Sequence, residues 1–171
     1  MALDAIGLTT VEGPYFEQTW DFTDPEFCWM RDYWQEKRGD RPCPRLRDIN
    51  LPSLFRQAPK IVIKDAIDDG RDFRVRYWGT NVTDWLKFDG SGKLLSDYFP
   101  QKSLEQVKKA HLMALNGDIP IHRWGVSTYP NRDFLEFETI DLPLENDEGK
   151  RAHILSLHQY RIQSRDDGSE A

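Results

Sequence analysis

The chain has 171 residues, 29 of them acidic and 23 basic, for a formal charge of −6. That length bounds it to one domain with a single core and leaves no room for a separate catalytic domain beside it. The interleaving of Lys and Arg with Asp and Glu argues against a nucleic-acid partner, which needs clustered cations, and no apolar run approaches the roughly 20 residues that cross a bilayer.

Six Trp among a 12% aromatic share supply large anchors for a globular core. The two cysteines, Cys28 and Cys43, match no metal or redox spacing, and the start MALDAIGLTT lacks the basic and apolar regions of a signal peptide. The expectation is a cytoplasmic protein with free thiols and no metal site.

Residues 1–22 keep no sustained period and carry Gly13 and Pro14, so they read as an extended arm able to fold back through Tyr15, Phe16 and Trp20. Asp24 followed by Pro25 is an N-cap with proline at the first helical position, Glu26 suits the helix dipole, and Gly39 is available as the stop. The helix so bounded has an apolar stripe of Phe27, Met30 and Trp34, which needs a sheet or a partner to cover it. Residues 40–59 hold Pro42, Pro44, Pro52 and Pro59, whose missing amides forbid long regular structure, and a short helical turn is expected at Leu51 to Gln57.

Then KIVIKDAI and DFRVRYWG are β-branched and aromatic runs joined through Asp68, Asp69, Gly70 and Arg71, a hairpin signal. Strict alternation in the second puts Phe73, Val75 and Tyr77 on one face and Arg74, Arg76 and Trp78 on the other. Short helices follow at NVTDWLKF and near Asp97 to Phe99. Ser103 with Gln106 reads as a capping box, opening a longer helix that puts Leu104, Val107, His111, Ala114 and Leu115 on one face. Three strand patterns complete the chain: PIHRWGVSTY, RDFLEFETIDLPL and AHILSLHQYRI, with turns at Pro130-Asn131 and Glu145 to Lys150.

The order is α+β: a five-stranded antiparallel sheet with short helices on one face, preceded by an N-terminal amphipathic helix. This order, with the stretches FRVRYWGT (Phe73 to Thr80), DGSGKLLSDYFP (Asp89 to Pro100) and ALNGDIP (Ala114 to Pro120), resembles a PAS domain. The lead RPCPRLRDINLPSLFRQAPKIVIKDA is similar to a bacterial subfamily of small, often free-standing PAS proteins, in which Trp34, Pro44, Arg45, Asp48 and Gly79 fall at recurring positions. The boundaries expected are an arm at 1–22, a helix at 23–39, one PAS domain at 40–163 and a loose tail at 164–171.

The resemblance implies a sensory or regulatory protein with a cavity between the sheet and the short helices, binding a small ligand, a protein partner or both. Candidate pocket residues are Tyr77, Trp85, Phe88, Tyr98, His111, Leu135 and Phe137. A homodimer is expected through Phe27, Met30 and Trp34, and a protein contact on an outer sheet face bearing Arg74, Arg76 and Trp78. Flavin adduct chemistry is not expected, because the helix TNVTDWLKF lacks the reactive cysteine of flavin-binding members. Haem is not expected either, since an axial histidine early in the long helix is replaced by Gln106 and Val107, with His111 a turn further on. The pair Glu136 and Glu138 is expected to balance Arg74, Arg76 or Arg161 rather than to perform acid-base work. Two other readings stand beside the sensor: an adaptor that binds only protein, and a small-molecule enzyme on a cone-shaped α+β fold.

Overall fold

The computed structural model describes residues 13–164. The expectations placed on residues 1–12 and on the tail from residue 165 lie outside the described residues. The chain order is β1 (Tyr15–Gln18), α1 (Pro25–Arg38), β2 (Ile61–Ile67), β3 (Asp72–Trp78), α2 (Thr80–Leu86), α3 (Leu95–Tyr98), α4 (Gln101–Asn116), β4 (Ile121–Val126), β5 (Leu135–Glu145) and β6 (Arg151–Ile162). The strands form one antiparallel sheet in the order β1-β4-β5-β6-β2-β3.

The sheet therefore has six strands rather than five, because the second half of the arm becomes β1, pairing Tyr15 with Trp124 and Gln18 with Ile121. Four residues of weak period carry too little pattern to announce a strand. The open edge of β4 supplies the hydrogen-bonding partner that turns them into one.

Asp24 caps α1 as its position requires, accepting from the amides of Glu26 and Phe27, and Gly39 ends it at φ 57°. Phe27, Met30 and Trp34 are all buried, but against the chain's own sheet: they pack with Ile61, Ile63, Leu142, Leu144, Leu155 and Leu157. Each such side chain removed from water contributes about 1.5–3 kcal/mol. The stripe expected to cover a second copy is covered within one chain, which removes the reason that helix gave for a dimer. Trp34 is further held by its indole Nε1, which donates to the Pro143 carbonyl at 2.8 Å.

The proline-rich lead is tied down beneath α1. The Glu145 amide donates to the Pro44 carbonyl at 2.8 Å, and Asp48 accepts from the Arg45 amide and from Arg41 Nη2. A 3-10 turn at Leu51–Leu54 is shorter than the turn expected. On the opposite face of the sheet α4 packs Leu104, Val107, Ala110, Ala114 and Leu115 against Phe73, Ile121 and Ile154. It begins at Gln101 after Pro100, so Ser103 sits inside its first turn, hydrogen-bonded to Thr128, and does not cap it. No helix among the described residues is long and apolar enough to cross a membrane.

The β2–β3 hairpin departs from strict alternation. Ile63 pairs with Tyr77 but Lys64 pairs with Val75, leaving Arg76 as an extra residue in a bulge. A bulge reverses the facing of every residue beyond it. Tyr77 thus turns outward, packs into the α1 cluster and donates to the Ala58 carbonyl at 3.0 Å. Trp78 turns inward to Val62, Val75, Val82 and Leu86. Their expected positions are exchanged.

Candidate ligand pocket

Between the inner sheet face and the helices lies a hollow with about 50 Å³ of room for the centre of a water-sized sphere, and about 650 Å³ when all space between the atoms and the open mouth are counted. Its apolar wall includes Phe16, Trp78, Leu86, Tyr98, Phe99, Tyr129 and Phe137, and its polar groups include Lys64, Arg123, Thr139, His158 and Tyr160. Of the residues expected here, Tyr98 and Phe137 line it. Phe88 stacks on Tyr98 at 5.2 Å and meets Trp78 edge-on, so it supports the wall from behind. Trp85 is half-buried beside Tyr160, with ring centroids 6.2 Å apart, and Leu135 is fully buried without reaching the hollow. Tyr77 is on the other face, for the reason given by the bulge.

His111 stands one layer deeper, in a polar cluster buried in the core. Lys64 Nζ is 2.8 Å from His111 Nε2, and His111 Nδ1 is 3.4 Å from Asp141 Oδ2. With the ammonium as donor, the proton of the neutral ring sits on Nδ1 facing Asp141, although too far off line for a full hydrogen bond. Asp141 accepts from Arg123 Nε at 2.5 Å, Arg123 Nη2 at 3.3 Å and Ser156 Oγ at 2.6 Å. Burial alone raises a carboxyl, but Arg123 outweighs it and holds Asp141 well below the usual range. Burial, with Lys64 next, lowers His111 to about 3, so its imidazole is neutral at ordinary pH. Burial, reinforced by Arg123, lowers Lys64 to about 7.

This geometry bears on cofactors through the residues present. Neither nitrogen of His111 is open to the hollow for axial ligation, since one meets Lys64 and the other faces Asp141. Cys28 lies on α1 and Cys43 beneath it in the outer cluster, so neither thiol faces the hollow. His122 and His153 lie on the outer side, against Glu138 and Asp65 respectively, while His158 is on the inner side, and no metal-ligand grouping occurs among the described residues. Glu136 pairs with Arg161 on the outer face.

The residues that give the pocket its polarity, Lys64, Arg123, Thr139 and His158, are not among the expected pocket residues. A signal for two of them exists. Alternation puts Lys64 on the face shared by Val62 and Ala66, and Arg123 on the face shared by Ile121. A charge at an inward strand position has to be paired or put to use.

An antiparallel sheet with a long helix and two short ones over one face, enclosing a hollow beside the helices, belongs to the class of α+β domains built on a single antiparallel sheet. The PAS domain family matches residues 24–159, and the chain belongs to it. PAS domains are typically sensory or regulatory modules rather than enzymes. A solved structure described as an RNA-binding Light-Oxygen-Voltage receptor is similar in fold, with a TM-score of 0.50 and 10% identity. The likeness covers 86% of this chain and 38% of that one, so this chain spans well under half of that receptor's length. RNA binding is a property of that receptor, and a likeness at this identity extends to the fold alone. Comparison with curated proteins returns no match.

Proposed function

We propose that the protein is a PAS sensory module that binds a small molecule in the hollow between its sheet and helices and signals through a protein partner. The observation that carries this reading is the polar lining. Thr139 Oγ1 and His158 Nε2 are buried and have no hydrogen-bond partner among the described residues. A buried polar atom left unpaired costs about 1–3 kcal/mol, so a hollow lined by two of them is poorly explained as mere core. A ligand bearing polar groups supplies the missing partners.

The partner surface proposed is the outward side of β3, an edge strand, where Arg74 and Arg76 are exposed. Trp78 belongs to the pocket wall and leaves that surface, which gives β3 a ligand-facing residue and partner-facing residues on one strand. Native mass spectrometry of the purified protein tests the ligand: a retained small molecule supports the sensor. A bare chain that still captures a protein favours the adaptor. Reversing the charge of Arg74 and Arg76 together is expected to abolish partner capture while leaving the retained molecule in place.

A further inference from the structure

We infer that the hollow takes a small organic monocarboxylate with a flat apolar body, its carboxylate seated against Lys64 and Arg123. The inference rests on the sensor reading and specifies its ligand.

The inner cluster contains two cations, Lys64 and Arg123, and one carboxylate, Asp141, all buried. Both Asp141 oxygens are engaged by Arg123, so that pair is internally neutral. Lys64 is left with a neutral imidazole as its hydrogen-bond partner, an ammonium 3% exposed with no carboxylate bonded to it among the described residues. A buried cation without a counter-ion is a costly arrangement, and Lys64 lines the hollow, where an anion can reach it. Burial and the repulsion of Arg123 already lower its pKa, the response of an ammonium short of negative charge.

Two further observations set the ligand's shape. Arg123 uses Nε and Nη2 on Asp141 and makes no hydrogen bond through Nη1 to the described residues, so it retains a donor for a second oxygen. A carboxylate has two oxygens for two such donors. One uncompensated cation matches a single negative charge, whereas a phosphate dianion would bring an excess. Beyond the charged end the walls are rings, Trp78, Phe99 and Tyr129 among them, which favour a flat apolar body over a polar one.

The test compares phenylacetate with phenylacetamide, which share a body and differ in charge, by calorimetric titration of the full-length protein. It is accompanied by native mass spectrometry of the protein as purified. Phenylacetate is expected to bind at least about tenfold more tightly than the amide, and Lys64→Met to remove about tenfold or more of that preference, as loss of a desolvated charge contact does. Lys64→Met replaces a buried ammonium with a chain of similar length and is expected to melt no lower than the parent, which separates lost binding from lost folding. Equal binding of acid and amide, or an unchanged preference in Lys64→Met, overturns the inference. A retained neutral molecule also overturns it and leaves the sensor reading standing. A bare protein that responds to neither compound overturns the inference and removes the support for a ligand.

Discussion

Lys64 and His111 meet through one hydrogen bond in the core, and each is displaced from its ordinary pKa in the direction that burial dictates. Lys64 falls from 10.5 to about 7 on folding, so between those values the unfolded chain binds the additional proton. Stability therefore rises with pH across that interval and is lowest, for this group, when the ammonium is fully charged below about 7. His111 falls from 6.5 to about 3, and its contribution is present above 6.5 and lost as pH drops toward 3. His158, lowered by burial and then by Lys64, acts in the same direction. The opposing groups enter later: burial raises Cys43 from 9.0 to about 12, so it begins to oppose folding only above about 9. Chemical denaturation is accordingly expected to show stability rising from acid through about pH 9. Lys64→Met should abolish the portion above about 7 and retain the acid limb. A slope unchanged in that variant would show that Lys64 is not the group responsible.

At the scale of elements, the molecule depends on a few close approaches. Gly79 ends β3 where the backbone passes Pro59, and a Cβ there would lie 2.2 Å from the Pro59 carbonyl oxygen. Neither backbone can yield, so Gly79→Ala is expected to cost about 2 kcal/mol or more, measurable as a lower denaturation midpoint at unchanged slope. Gly90 is the corresponding contact on the pocket side, with a would-be Cβ 2.6 Å from the Trp78 ring. On α1, Trp34→Ala removes both the largest side chain of the outer cluster and the bond to Pro143. A loss of about 3–5 kcal/mol is expected from the cavity alone, whereas Trp34→Phe keeps most of the packing and should cost distinctly less. Trp34 on Pro143, Pro44 on Glu145, Asp48 on Arg45 and Gly79 against Pro59 bind α1, the proline segment and the sheet into one outer layer.

The whole molecule is a sheet covered on both sides, with α1 and the proline segment outside and α2, α3 and α4 inside. The inner layer leaves the hollow walled by Trp78, Tyr98 and Phe137, because two short helices and a loop cover less of the sheet than a continuous helix would. The outer layer seals the apolar face of the central strands. Removing residues 1–39 uncovers Ile61, Ile63, Leu142, Leu144, Leu155 and Leu157 together, an apolar patch of the kind that drives association. The truncated chain is expected to aggregate, with light scattering showing species well above its own mass. A soluble truncated chain would mean that the outer layer is dispensable. The β1 strand completes the pocket from the opposite edge, since Pro14, Tyr15 and Phe16 reach its mouth and Gln106 of α4 donates to the Pro14 carbonyl.

Local rules of this chain were strong enough to determine α1 from Asp24 and Pro25, the β2–β3 hairpin from its Asp-Gly turn, the apolar face of α4 and the last three strands. With their order came the family. Those signals are short-range: caps, turn residues and periods act within a few residues of themselves. What the tertiary structure alone decided is long-range. It chose what α1 covers, gave the arm a strand partner more than a hundred residues away, and brought Lys64, His111, Arg123 and Asp141 from four different elements into one cluster. It also placed a single extra residue, Arg76, in β3, which sent Tyr77 out of the pocket and Trp78 into it. Alternation in a lone strand cannot reveal a bulge, because the extra residue is defined only against the strand it fails to pair with.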